Sequence, residues 1–218
     1  MFDRIAIRYD LLNSLLSAGS DTGWRRRTAE EARLGPGSRA LDVACGSGKL
    51  TLELLRRARG GLVVGLDFSP RMLRVAADRA PGPAYLRGDG LRLPFAGDSF
   101  DAVTVAFGLR NFADPELGLR EMARVLRPGG RALVLEFVRP RPGPIGALYR
   151  AYLRHGLPRV GGWISGQPRA YRYLSDTVDD YRSPGELVEL AASAGWDEPG
   201  VQLLTLGTVA ILTGTRPA

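Results

Sequence analysis

The sequence predicts a doubly wound α/β fold, a mostly parallel sheet with helices on both faces. Five short apolar, β-rich runs recur: "RALDVAC" (39–45), "GLVVGLD" (61–67), "PAYLRGD" (83–89), "FDAVTVAF" (100–107) and "GRALVLEFV" (130–138). Amphipathic stretches separate them, starting near Gly48, Ser69 and Pro115. The runs are nearly continuous in apolar character, as strands buried on both faces require.

Each element has its own local reason. Residues 2–34 read as two short helices forming a cap, with Trp24 and the cations Arg25, Arg26 and Arg27 between them. The first strand runs into a glycine turn, and a helix follows from Gly48. In "DFSPRML" Ser69 is placed as an N-cap, with Pro70 at the first helical position. The helix at 115–126 ends at "LRPGGR", whose proline and glycines precede the fifth strand. The tail "GWDEPGVQLLTLGTVAILTGT" reads as two strands turning near Gly207, a closing antiparallel hairpin that brings the sheet to seven strands. Residues 139–181 are rich in Pro, Gly and Tyr and too long for a plain connection, so they are expected to form an insertion or lid at the sheet edge.

The chain has 218 residues, 44% hydrophobic and 24% charged, which suits one domain over 1–218. No run is long enough to span a bilayer as a helix, and "MFDRIAIRYD" lacks the uninterrupted apolar core of a signal peptide, so a cytoplasmic location is expected. The single cysteine, Cys45, excludes an internal disulfide. One histidine, His155, argues against a multi-His metal site or a Ser-His-Asp triad, and "YLRHGLPR" reads as an ordinary helix end. No metal is expected. The balance is basic, 30 Lys+Arg against 23 Asp+Glu, nearly all Arg. Anionic lipid and nucleic acid would both be attracted, and charge alone does not separate them.

The chemistry concentrates in "DVACGSGKLT". Gly46 and Gly48 permit a tight turn and close approach of a ligand to a helix N-terminus. The third glycine of a dinucleotide fingerprint is absent, and Asp42 beside the turn would repel a pyrophosphate. A cationic ligand reverses that sign. Asp67 ends the second strand, where an acid can accept hydrogen bonds from a ribose diol. Asp89 ends the third, followed by "LRLPF", whose Leu-Pro-Phe run would hold an adenine. Together these features describe a nucleoside with a free diol and a positive, phosphate-free tail, the properties of S-adenosylmethionine. Nothing like an Asn-Pro-Pro-Tyr tetrad follows the fourth strand, which argues against a nucleic-acid substrate.

Six segments carry a family resemblance: "FDRIAIRYDLLNSLLS" (2–17), "LDVACGSGKLT" (41–51), "FGLRNFAD" (107–114), "EMARVLRPGGRALVLEF" (121–137), "LPRVG" (157–161) and "YRYL" (171–174). The chain resembles the class I S-adenosylmethionine methyltransferases, and within them the menaquinone and ubiquinone biosynthesis C-methyltransferases of MenG/UbiE type. The resemblance implies a Rossmann-like class I methyltransferase fold and cofactor contacts from Ser47, Asp67, Asp89 and Gly90. Lys49 and Ala106 depart from the pattern: relatives often have an acid at the first and a cofactor-contacting serine at the second, where Ala106 offers only backbone. The implied reaction is methylation of a prenylated quinol ring carbon, demethylmenaquinol to menaquinol. Benzoquinol methylation, or another small-molecule O- or N-methyltransferase, stays open.

Arg110 is expected to stabilise a phenolate, with Asn111 orienting the same oxygen or a water. Tyr9 and Asp10 are expected to close the site, with Tyr171 and Tyr173 on the substrate wall. An alternative places Arg110 in a buried network with Asp10 or Asp114. Apolar residues interleaved with arginine over 139–181 suit peripheral contact with anionic lipid at the inner membrane face. The motifs carry no signal for oligomeric state.

Overall fold

In a computed structural model, residues 19–139 and 181–218 are described, together with Gly143 and Ala151. Helix α1 (Asp21–Glu31) leads to β1 (Arg39–Val43), α2 (Lys49–Ala58), β2 (Leu62–Asp67), α3 (Pro70–Arg79) and β3 (Ala84–Arg87). Next come β4 (Phe100–Ala106), α4 (Pro115–Val125), β5 (Leu126–Phe137), α5 (Pro184–Ser193), β6 (Asp197–Leu204) and β7 (Val209–Thr215). The strands form one seven-stranded sheet in the order β3-β2-β1-β4-β5-β7-β6. Strand β7 runs antiparallel to both β5 and β6, while β1 to β5 are mutually parallel. The doubly wound expectation and the closing hairpin both hold.

The sheet is buried on both faces because its strands are apolar at successive positions, not at alternate ones. One face packs Trp24 of α1 and Leu50, Leu54 and Ala58 of α2 against Ala40, Val63, Ala102 and Leu133. The other packs Leu119 and Met122 of α4 and Leu187 and Leu190 of α5 against Leu41, Val103 and Val134. Helix α2 buries Leu50, Thr51, Leu54 and Ala58, a stripe at helical spacing. Two indoles close the ends of the core: Trp24 Nε1 donates to Thr205 Oγ1 at 2.9 Å, and Trp196 Nε1 donates to the Leu119 carbonyl at 3.0 Å.

Helix starts follow local chemistry. The Ser69 hydroxyl accepts from Met72 N with Pro70 at the first position, as expected from the sequence. Helix α5 begins with a capping box, Ser183 accepting from Glu186 N and Glu186 accepting from Ser183 N. One local expectation is corrected: Trp24 and the three arginines lie inside α1 rather than between two helices. Its early residues place Asp21, Trp24, Arg25 and Thr28 on one buried face, so the helix starts before the tryptophan and continues through the basic run.

Candidate active site

A cavity of about 370 Å³ opens at the C-terminal ends of the parallel strands, where ligands of such sheets bind. It is lined by residues 44–47 after β1, 66–69 after β2, 88–91 after β3 and 106–108 after β4, with Asn111, Phe112 and Ala113 beyond. Met72 of α3 and Arg25 of α1 complete the wall. Gly46, Ser47, Asp67, Asp89, Gly90, Ala106 and Asn111, all singled out in the sequence, therefore meet at one cavity.

Asp67 organises the middle of this wall. Its carboxylate accepts from Gly46 N and from Ser69 N, each at 2.8 Å, tying the first strand's turn to the second's. The turn is held from outside as well, by Arg79 Nη1 donating to the Ser47 carbonyl at 3.2 Å. Gly48 caps α2 at φ +77, and a Cβ there would meet Tyr85 Oη at 3.0 Å and Ala76 Cβ at 3.1 Å, so only glycine lets the turn sit this close to α3. Asp89 folds back on its own turn by accepting from Leu91 N at 2.9 Å. At Gly90 a Cβ would lie 2.6 Å from Phe112, so the missing side chain is the space that Phe112 fills. Ala44 and Phe107 both adopt positive φ, 51° and 57°, and both face the cavity. Such strain concentrates where a fold holds a ligand wall in place.

Asp42 is not where the sequence suggested. It is 1% exposed and lies beneath the turn, accepting from Thr51 Oγ1 at 2.6 Å and from Thr104 Oγ1 at 2.9 Å. Thr104 stands opposite Asp42 in the β1–β4 register, and Thr51 is in the first turn of α2, so the carboxylate ties strand to helix and does not line the cavity. Burial pushes its pKa up from 3.8 to about 6, against the two hydroxyl hydrogen bonds, which lower it.

A folded pKa above the unfolded one makes this contribution to stability complete below the unfolded value. It is lost as pH rises through the folded one. Asp42→Asn cannot titrate, so between about pH 4 and about pH 7 the variant should gain about 2 kcal/mol on the natural protein. Urea unfolding at both pH values measures the gap, and a gap independent of pH would contradict the assignment.

Arg110 makes its described contacts with β5. In the short 3₁₀ turn Leu109–Asn111, Leu109 enters the core, Asn111 faces the cavity, and Arg110 turns to β5. Its Nη1 lies 2.5 Å from Glu136 Oε1, with side chains 4% and 0% exposed. Glu136 accepts further from the backbone N–H groups of Arg110 at 3.3 Å and Phe137 at 3.0 Å, while burial raises its pKa. Among the described residues the guanidinium's carboxylate partner is Glu136, while Asp114 caps α4; Asp10, the other expected partner, lies outside the described residues. Tyr9, Asp10, Tyr171, Tyr173 and His155, like most of the expected lid at 139–181, lie outside the described residues.

The adenine wall is likewise different. Leu93 is a core residue and Phe95 packs edge-on against Phe100 at 5.0 Å, while Pro94 is exposed, and none of the three lines the cavity. The apolar lining comes from Leu91, Phe68, Met72 and Phe112 instead. Phe112 and Phe107 lie within "FGLRNFAD", so the motif itself was the available signal. Nothing local in the sequence separates Arg25 from its exposed neighbours Arg26 and Arg27, so it reads there as part of a charge run. Among the described residues no cluster of three or more metal-ligating side chains occurs, and no helix is long and apolar enough to cross a membrane.

A sequence model of the ubiE/COQ5 methyltransferase family matches residues 1–216. A demethylmenaquinone methyltransferase of Thermus thermophilus is 49% identical, with 100% of each chain covered. One from Deinococcus radiodurans is 46% identical over 99% of this chain and 91% of its own. Among solved structures, a SAM-dependent methyltransferase from Thermotoga maritima shares the fold, with a TM-score of 0.69, 21% identity and coverage of 99% and 97%. Matched by the family's model over nearly its whole length and 49% identical to a full-length relative, the chain belongs to the ubiE/COQ5 methyltransferase family.

Proposed function

We propose that this methyltransferase uses S-adenosylmethionine to methylate a ring carbon of a prenylated quinol, converting demethylmenaquinol to menaquinol. One observation carries the cofactor assignment. Asp89 with the apolar Leu91 and Phe112, then Asp67, then the turn at 44–47 line one cavity in the spatial order β3, β2, β1. That order matches adenine, ribose and amino-acid tail. The donor set fits: an acid for the diol, an apolar slot for the base, and no phosphate cradle. The relatives' names supply the quinone class.

When bound, the cofactor supplies an electrophilic methyl group on its sulfonium. The acceptor must be the reduced quinol, because the oxidised ring is itself an electrophile, and loss of a phenolic proton loads the adjacent carbon. This chain's part is to align and to exclude water. Asn111, facing the cavity beside Gly108, is placed to hold the quinol oxygen, and Phe107 and Phe112 keep the wall dry. The buried Asp42 carboxylate adds negative potential beneath the cationic tail without contacting it.

The cap at 2–34 and the insertion at 139–181 are proposed to close the site over the quinol from the cytoplasmic side of the membrane. The arginine-rich insertion would lean on anionic headgroups. Sedimentation with anionic vesicles should be salt-sensitive and exceed that with neutral ones; equal, salt-insensitive partitioning would contradict the contact. Ring specificity is tested by comparing turnover on reduced demethylnaphthoquinol and on the corresponding benzoquinol. Preference for the naphthoquinol supports the reading, and preference for the benzoquinol would place the protein on the ubiquinone side of the family.

A further inference from the structure

Arg25 is 7% exposed, lines the cavity, and is the only cationic side chain that does so among the described residues. It projects from α1, and its guanidinium stacks 5.2 Å from the Phe107 ring centroid. Among the described residues its ion pair is with Asp21, 3.8 Å from Nε, but Lys49 Nζ sits closer to that same oxygen, at 2.9 Å, and the buried Asp42 attracts the guanidinium without a hydrogen bond between them. Among the described residues Arg25 Nε has no hydrogen-bond partner. A guanidinium so deeply buried, with its Nε donor unmet, calls for an anion, because a buried donor without a partner costs free energy.

The ligand proposed for this cavity has one anionic group, the α-carboxylate of its amino-acid end. The acids that line the cavity, Asp67 and Asp89, lie after β2 and β3. Arg25 stacks on Phe107, directly after β4, on the far side of β1 from both acids. A ligand with adenine at β3 and ribose at β2 runs its tail toward that side.

We propose that Arg25 receives the α-carboxylate of S-adenosylmethionine and so distinguishes the intact amino-acid tail from one that lacks it. This rests on the cofactor reading above. Phe107, at its positive φ, serves as the platform that holds the guanidinium flat for a two-point contact. The role falls to a residue on α1, outside every strand-end motif of the sheet. An N-terminal helix thereby becomes part of the cofactor site, so cofactor binding should also steady α1 against the sheet.

The test is calorimetric titration with S-adenosylmethionine and with decarboxylated S-adenosylmethionine, which keeps both cationic groups and lacks only the carboxylate. The natural protein should prefer the intact ligand by about tenfold or more, as loss of charge-assisted hydrogen bonds implies. Arg25→Gln should abolish the preference by weakening the intact ligand alone. Arg25→Lys keeps a cation and an apolar stem, so it should fold and retain only part of the preference. Equal weakening of both ligands in the variants, or the full preference retained in both, would overturn the role of Arg25 while leaving the cofactor reading intact. Failure of the natural protein to bind either ligand would overturn the cofactor reading itself.

Discussion

Arg110→Ala is expected to destabilise the fold by about 3–5 kcal/mol, because it strands the Glu136 carboxylate in a fully buried site. Against a total stability of about 5–15 kcal/mol this is a large fraction, and in thermal melts it should appear as a drop of about 10 °C or more. The carboxylate would keep its hydrogen bonds from the Arg110 and Phe137 backbones but lose its charge partner. Methyl transfer would fall too, since the same turn presents Asn111 to the cavity. The double variant Arg110→Met with Glu136→Met separates the two effects. It removes both charges, so stability should largely return. If Arg110→Ala melts like the natural protein yet loses turnover, the guanidinium acts on the substrate directly and the structural account of this pair is wrong.

Asp67→Ala should weaken S-adenosylmethionine binding by about a hundredfold. The two charge-assisted hydrogen bonds proposed to the ribose diol are each worth about 1.5–3 kcal/mol, and the freed Gly46 N–H and Ser69 N–H loosen the turn further. The loss of stability should be small, because Asp67 sits at a partly exposed strand end. Asp67→Asn, which keeps a carbonyl acceptor, should be milder. Calorimetry reads both, and an unchanged dissociation constant for Asp67→Ala would remove the residue from the site.

The sheet was readable from the chain because burial on both faces leaves a simple mark: runs such as "GRALVLEFV" that are apolar throughout. Ser69-Pro70 and Asp114-Pro115 marked helix starts through local chemistry that tertiary packing did not override. Gly46, Asp67 and Asp89 were legible because a strand end in a parallel sheet has only one edge to face. The misreadings concern side-chain direction. Asp42 and Asp67 both stand near strand ends, yet one points under the turn to Thr51 and Thr104 and the other bridges two turns at the cavity. Arg110 and Asn111 are adjacent, but the 3₁₀ turn sends them to different partners. Arg25 differs from Arg26 and Arg27 only by its place on the helix, which buries one and exposes the others. Those distinctions depend on a partner far away in sequence, such as Glu136 or Phe107, and no local pattern encodes it.

The measurement that bears most directly on the function is methyl transfer itself, followed with isotope-labelled S-adenosylmethionine and reduced demethylmenaquinol, with the product resolved by mass and by NMR. The labelled methyl should appear on a ring carbon, in a product with the mass of menaquinol plus that of the label, and only when the quinone is supplied reduced. A label on the quinol oxygen, transfer to the oxidised ring, or no transfer at all would contradict carbon methylation of a quinol by this protein.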